Sequence, residues 1–294
     1  MTPLEKLSLS VLIPTRDEAR NIVECLEAVD FADERIVFDS HSTDDTLELA
    51  RAAGARIVQR EFDVFSTHKN WALDNIEFAH EWILIVDADE RVTPMLAAEI
   101  ARVIGDPGAA DGYYIARQNI FQGKWIRHAG MYPDWQLRLF RRGRARYEDR
   151  IVHEHMRVDG ETGFLKNHFI HHDFKGIERY FERHNHYTSL EAVEVHRMLH
   201  ALPGSDRVIA GSLSARGPQR RRAVKHFAYR YLPGRALLLF FYMYVWRLGF
   251  LDGRIGFRYC LIRAFHEYQI SLKLIELRDA DSPMATKYKN DIER

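Results

Sequence analysis

Residues 82–92 read WILIVDADERV. The apolar run from Trp82 to Val86 is too short for a helix and shows no polar alternation, which suits a strand buried on both faces of a parallel sheet. It breaks into Asp87-Ala88-Asp89-Glu90, and ligands of open α/β sheets bind just beyond the carboxyl ends of strands. Two Asp separated by one residue on a turn can hold a hard divalent cation, leaving its other positions to water and phosphate oxygens. The alternative is a solvated acidic loop in which Asp89 caps the helix starting near Pro94.

Upstream, residues 9–14 (LSVLIP) predict the first buried strand. A helix follows, with Ile22, Cys25, Leu26 and Val29 on one face and Asn21 or Asp17 as its cap. The second strand, residues 35–38, ends in Asp39, an acceptor for ribose hydroxyls or a base edge, or else a cap of its own turn. Thr43 is the expected N-cap of the next helix, which Gly54 ends. Residues 56–58 give a third strand and residues 68–79 a helix. Lys69 would sit in that helix's first turn, against the dipole, which points to a phosphate contact. Strand and helix alternate through these hundred residues, so the predicted fold is α/β, a doubly wound, mostly parallel sheet. No GxGxxG or Walker-type loop follows strand one, which counts against dinucleotide enzymes and P-loop NTPases.

Four ordered motifs carry a resemblance: LSVLIPTRDEARNI, IVFDSHSTDDT, STHKNWAL and ILIVDADERV. Together they are similar to the nucleotide-sugar domain of family 2 glycosyltransferases, which have the GT-A fold. The stretches RQNIFQGKWIRHAGMYPDWQLRLFRR and IVHEHMRVDG resemble, more narrowly, the bacterial lipopolysaccharide-core glucosyltransferases of that family. The resemblance covers roughly residues 8 to 200. It implies that Pro14, Thr15, Arg16 and Glu18 line the nucleoside, that Asp39 holds the base and that Lys69 approaches the diphosphate. In the turn Asp87-Ala88-Asp89, Asp87 would touch the ribose and Asp89 would bind the Mg²⁺ or Mn²⁺ that bridges the diphosphate. Asp17 departs from the family, which usually has Asn there.

A strand re-enters at residues 113–119. Asp134 resembles the acidic position that activates the acceptor, since inverting transfer needs a carboxylate to take the hydroxyl proton. Asp134 can equally pair with Arg138. Glu154 is the rival base, with His153 beside it a further metal ligand or a core histidine. Arg138, Arg141 and Arg142 either meet phosphates or form a solvated face. His171 and His172, adjacent on a strand, point to opposite faces and make a poor zinc pair. Residues 176–199 predict a long helix with Ile177, Tyr180, Phe181, His184 and Tyr187 along one side, packed on the acceptor side of the sheet.

The 294 residues carry no net formal charge, yet residues 207–267 hold twelve Arg and Lys against two acids, Asp252 and Glu267. Residues 201–217, with Pro203, Gly204, Gly211 and Gly217, read as a linker. The expected division is therefore a catalytic domain at 1–200 and a basic helical extension at 201–294. Within the extension, ALLLFFYMYVW at 236–246 is shorter than the roughly twenty residues a span needs. It fits a helix in the headgroup layer of anionic lipids, or else a core helix or a homo-oligomer interface. No nucleic-acid motif accompanies the charge. Cys25 and Cys260 form no CxxC, and residues 1–9 lack the apolar core of a signal peptide, so the expected location is cytoplasmic, on the inner face of the membrane. The expected activity is metal-dependent, inverting transfer of a hexose, glucose from UDP-glucose, to a lipid-linked saccharide of lipopolysaccharide core. The alternatives are another sugar, such as mannose from GDP-mannose onto a polyprenyl-linked glycan, and outside the class a Mg²⁺-dependent phosphatase.

Overall fold

The computed structural model describes residues 6–148, 156–172, 176–200, 229, 232 and 234–293. The chain divides into two compact units, Met1–Phe174 and Lys175–Arg294. The linker expected at 201–217 and the bases Arg220, Arg221, Arg222 and Lys225 lie outside the described residues, as do the candidates His153 and Glu154.

In the first unit, β1 (Leu7–Thr15), α1 (Ile22–Ala28), β2 (Ala32–Asp39), α2 (Thr46–Ala52), β3 (Arg56–Gln59), α3 (Phe65–Asn75) and β4 (Trp82–Ile85) alternate as expected. β5 (Glu90–Val92), α4 (Pro94–Ile104), β6 (Gly112–Phe121), β7 (Lys124–Trp125), β8 (Asp134–Arg141), β9 (Ala145–Tyr147), β10 (Met156–Val158) and β11 (Thr162–His172) follow. Among the described residues one sheet has the order β3-β2-β1-β4-β8-β6-β11-β5, with β7 beside β6, and β9 and β10 pair separately. β3, β2, β1 and β4 are parallel. β8 then inserts antiparallel to both β4 and β6, so the sheet is mixed beyond its parallel N-terminal half.

Both faces of this half are covered. Leu9, Val11 and Ile13 join α1 and α4 in one core, while Leu12, Ile83 and Ile85 join Phe38 and Ala72 of α3 in another. That is why β4 reads as an unbroken apolar run, each buried side chain contributing about 1.5–3 kcal/mol. α4 is capped by Thr93, whose hydroxyl accepts from Leu96 N at 3.1 Å, with Pro94 in its first turn. Asp89 is therefore not that helix's cap. α3 starts three residues earlier than expected, which moves Lys69 out of the first turn and removes the dipole argument for a phosphate beside it. At α2, Asp45 rather than Thr43 occupies the N-cap position.

The second unit contains α5 (Gly176–His200), α6 (Arg235–Phe241) continued by a π-turn at Tyr242–Trp246, a 3₁₀ turn at Gly249–Asp252 and α7 (Gly253–Glu276). α8 (Pro283–Lys287) and α9 (Lys289–Glu293) close it. α5 packs on α7, which places it in this unit rather than in the catalytic domain expected to reach residue 200. Its buried positions are Thr188, Ser189, Ala192, Val193 and Val195; Ile177 and Phe181, expected on the packed side, are exposed. Lys273 of α7 fastens the pair, its ammonium lying 2.6–2.8 Å from Asn185 O, Asn185 Oδ1, Thr188 Oγ1 and Ser189 Oγ.

Candidate active site

Strand register sets the geometry. Thr15 at the end of β1 pairs with Asp39 of β2, and Leu12 pairs with Ile85 of β4, so Asp87, two residues on, is level with Pro14. Asp39 and Asp87 thus stand within one residue of the same height on the carboxyl edge, two strand spacings apart, or about 10 Å. The acids stand on either side of β1 rather than meeting at one point.

Asp39 is fully buried. Its carboxylate accepts from Thr15 Oγ1 at 3.1 Å, Ser42 N at 2.9 Å, Ser42 Oγ at 2.5 Å and Gln59 Nε2 at 3.3 Å. It pins the Ser40–Ser42 turn first, and a base contact would exchange one of these donors. Asp17 sits at φ 53°, where Asn and Asp are the residues best tolerated after Gly, and its Oδ1 accepts from Thr43 N at 2.8 Å. An Asn oxygen would do the same, so the departure from the family costs nothing locally. Asp17 N and Glu18 N donate to Ser42 Oγ and Thr46 Oγ1, both at 2.8 Å, tying the loop after β1 to the loop after β2. Pro14 is half-buried there and Arg16 exposed. His68 of α3 lies beneath, accepting from Arg60 at Nδ1 (2.9 Å) and therefore donating from Nε2 to Ser40 Oγ (3.0 Å). Burial, with Arg60 adding to it, pushes its pKa down to about 4.

At the end of β4, Arg138 reaches across from β8 and grips both oxygens of Asp87, at 3.2 and 2.5 Å, with Glu90 Oε1 at 3.3 Å. Glu90 Oε2 accepts from Asp87 N at 3.0 Å, and Arg91 donates to Ala88 O at 2.8 Å. The turn is thus locked by residues on both sides of it. Burial opposes the Asp87 charge, but Arg138, with Lys69 and Arg117 behind it, holds the carboxyl well below its usual range. Burial, with Asp87 adjacent, keeps Glu90 raised against Arg138. Arg138 is therefore neither a partner of Asp134 nor a phosphate clamp. Arg141 pairs with Glu81 and lies over the Trp82 ring, and Arg142 donates to Phe78 O at 2.7 Å, so these two are structural. Lys69 Nζ lies 4.9 Å from the centre of the Tyr147 ring.

Asp134 opposes Arg117 across the β8–β6 ladder. Its Oδ2 accepts from Arg117 Nε at 2.9 Å and Asn119 Nδ2 at 3.4 Å, and its Oδ1 from Gln136 Nε2 at 3.0 Å. Burial opposes its ionisation, yet Arg117 and these amides leave its pKa lowered. Asp134 is held ionised, with Oδ1 its less occupied oxygen.

Asp89 Oδ2 lies 3.3 Å from His171 Nε2. Asn119 gives its amide NH₂ to Asp134, so its Oδ1 accepts from His171 Nδ1 at 3.0 Å. His171 Nε2 and the Asp89 carboxylate, two acceptors, then face each other and need a cation between them. Burial works against charge on His171, but Asp89 outweighs it and raises the pKa, so a proton serves in the absence of a metal. A carboxylate and an imidazole whose other nitrogen is already anchored fit Mg²⁺ or Mn²⁺, with water and phosphate completing the shell. Among the described residues no group of three or more His, Cys, Asp or Glu is placed to hold a metal ion, so Asp89 and His171 would be a two-residue anchor. The sequence raises His171 only as half of a poor zinc pair with His172, and it does not point to Arg117. The available signal was their alternation with Phe169 and Asn119 on facing strands, which needs the β6–β11 pairing to be known.

Several known proteins are similar to the chain. The lipopolysaccharide core biosynthesis glycosyltransferase LpsC of Rhizobium meliloti is 26% identical over 197 residues, 64% of this chain and 72% of LpsC. An uncharacterised glycosyltransferase of Rickettsia bellii is 36% identical over 101 residues, 34% of either chain. Among solved structures, TarS residues 1–349 of S. aureus align over 97% of this chain and 92% of that one at 15% identity, TM-score 0.44. Glucosyl-3-phosphoglycerate synthase of Mycobacterium tuberculosis, crystallised with Mn²⁺, UDP and glucosyl-3-phosphoglycerate, aligns over 39% and 44% at 23% identity, TM-score 0.29. Glycosyl transferase family 2 matches residues 10–172, more than half of the chain, and with the α/β sheet and acidic strand ends described above the protein belongs to that family.

Proposed function

We propose that the protein moves glucose from UDP-glucose, with inversion, onto a lipid-linked saccharide of lipopolysaccharide core, at the cytoplasmic face of the membrane. The observation that carries the metal-dependent donor site is the Asp89–His171 pair, a carboxylate oxygen and an imidazole nitrogen 3.3 Å apart beyond the end of β4. A divalent cation held there would neutralise charge developing on the departing diphosphate. Thr15, Arg16 and Glu18 would line the nucleoside between Asp39 and Asp87, and Lys69, close enough to lower the Asp87 pKa, would stand on the phosphate side. Asp134 Oδ1 would take the acceptor hydroxyl proton as that oxygen forms its bond to the anomeric carbon and the bond to the diphosphate breaks. The LpsC name supports the acceptor class. A phosphatase reading is set aside by the family match, and Asp87, gripped by Arg138, is no free nucleophile.

The test is UDP release from UDP-glucose in the presence of core-lipid acceptor, with Mn²⁺ and with EDTA. Release that needs metal and is lost in Asp134→Asn supports the scheme. Full activity in Asp134→Asn with loss in Glu154→Gln moves the base to Glu154. Release from GDP-mannose alone changes the donor, and turnover indifferent to EDTA overturns the metal role.

A further inference from the structure

The second unit carries an apolar surface that its own core does not use. On α7, Phe257, Leu261, Phe265, Tyr268, Leu272 and Ile275 are each 44–58% exposed. Their spacing of four, four, three, four and three residues confines them to an arc of about 80° along roughly 27 Å of helix. The other side of α7, with Gly256, Tyr259, Cys260 and Ile270, is buried, so the stripe is a second face and not the packing face turned outward. A second exposed set lies on α6 and its π-turn: Leu237 at 68%, Phe241 at 59%, Val245 at 54% and Trp246 at 80%. The two sets meet at Phe257, whose ring stands edge-on to Phe240 and Tyr244, both at 5.6 Å. Patches of this kind mark interaction surfaces.

Charge selects the partner. Around the Trp246 end Arg247, Arg254 and Arg258 are exposed. The acids of residues 234–275 are withdrawn: Asp252 is 4% exposed, and Glu267 is paired with Arg235 at 2.6 Å. An apolar face edged by arginine and tipped by tryptophan matches the layer where acyl chains meet anionic headgroups. A two-fold contact through the Trp246 end would set arginine against arginine, because such a contact pairs a patch with itself. No single helix among the described residues is long and apolar enough to cross a membrane, and the one pair that passes together is bent by 73°. A straight piece of twelve residues, Arg235–Trp246, reaches only about 18 Å against the roughly 30 Å of a bilayer core.

We propose that this surface docks the protein onto an anionic lipid bilayer, α6, its π-turn and the outer stripe of α7 lying in the interface without crossing it. The inference goes beyond the donor chemistry, and its readout does not depend on turnover.

The full-length protein is sedimented with vesicles of phosphatidylcholine alone and of phosphatidylcholine with phosphatidylglycerol, at low and high salt. Binding to the anionic vesicles at least tenfold tighter than to neutral ones, weakened by salt, is expected. Trp246→Glu combined with Leu261→Glu, both at exposed positions, should abolish pelleting while UDP-glucose turnover in solution persists. Arg247→Glu with Arg254→Glu should remove the anionic preference. Trp246 emission should shift to the blue on binding, read as the difference from Trp246→Phe. Pelleting that survives the paired Glu substitutions overturns the proposal, as does failure to bind either vesicle. A stable dimer that the same substitutions dissolve gives the surface to a second copy and overturns it equally.

Discussion

In the first unit Arg138 and Glu90 are 5% and 0% exposed and answer one another's charge at the end of β4. In the second, Trp246 is 80% exposed and Leu237 68%, with arginines beside them in water. One unit thus buries ions and the other displays apolar side chains, each against the ordinary partition of residue types. Buried ions are stable only when mutually paired, and their pairing here fixes the turn that carries Asp87 and Asp89. Displayed apolar area is tolerated only where something covers it in use. The contrast separates the proposed place of chemistry from the proposed place of contact.

Substitutions should respect that separation. Asp89→Asn removes the carboxylate facing His171 and should lower UDP release by about 10³–10⁴-fold, with vesicle binding unchanged. If vesicle binding falls with it, the units are not independent in function. Arg138→Met leaves fully buried Glu90 and partly exposed Asp87 without the guanidinium they share, with only Arg117 at 3.8 Å still facing Glu90, and should destabilise the first unit by about 3 kcal/mol. Urea unfolding followed by tryptophan emission in a Trp246→Phe background reads that unit, which holds the other four tryptophans. Adding Asp87→Asn to Arg138→Met should recover part of the loss.

A smaller effect comes with pH. Buried His68 has its pKa pushed from 6.5 down to about 4, so the unfolded chain takes up this proton before the folded one does. Its contribution is complete above pH 6.5 and falls away as the pH drops toward 4, by as much as about 3 kcal/mol. His68→Gln should flatten that part of the urea-midpoint profile, and an unchanged profile would show that the ring is not held neutral. The smallest effect belongs to the other unit. Trp246→Glu, at an exposed position, should change stability by no more than about 0.5 kcal/mol. A larger loss would mean that Trp246 belongs to a core and would blunt the contrast.

The first four strands and their terminal acids were legible because a strand buried on both faces leaves a run such as WILIV, and because Asp39 and Asp87 follow such runs directly. Asp134 was legible only through family resemblance. The pairing of Arg138 with Asp87 was not legible, since 51 residues separate them and β8 runs antiparallel beside β4 without a sequence signal for that register. His171 was hidden for a related reason: its neighbours Asp89 and Asn119 come from other elements, and adjacent His172 invited a comparison along the strand. The place of α5 in the second unit was not legible, because its aromatic side reads as a core face while the small residues Ser189 and Ala192 are the buried ones. The apolar run at 236–246 was visible, but the stripe on α7 was not, being scattered among Arg254, Arg258 and Arg263.

Asp89 and His171 are proposed to hold a divalent cation against the diphosphate of a nucleotide bound over β1, β2 and β4. Thermal unfolding of the wild type, Asp89→Asn and His171→Ala with UDP, with Mn²⁺ and with both together tests it most directly. UDP and Mn²⁺ together are expected to raise the wild-type midpoint by more than the sum of their separate effects, and both variants to lose this excess. Equal excess stabilisation in all three proteins, or none in the wild type, would contradict it.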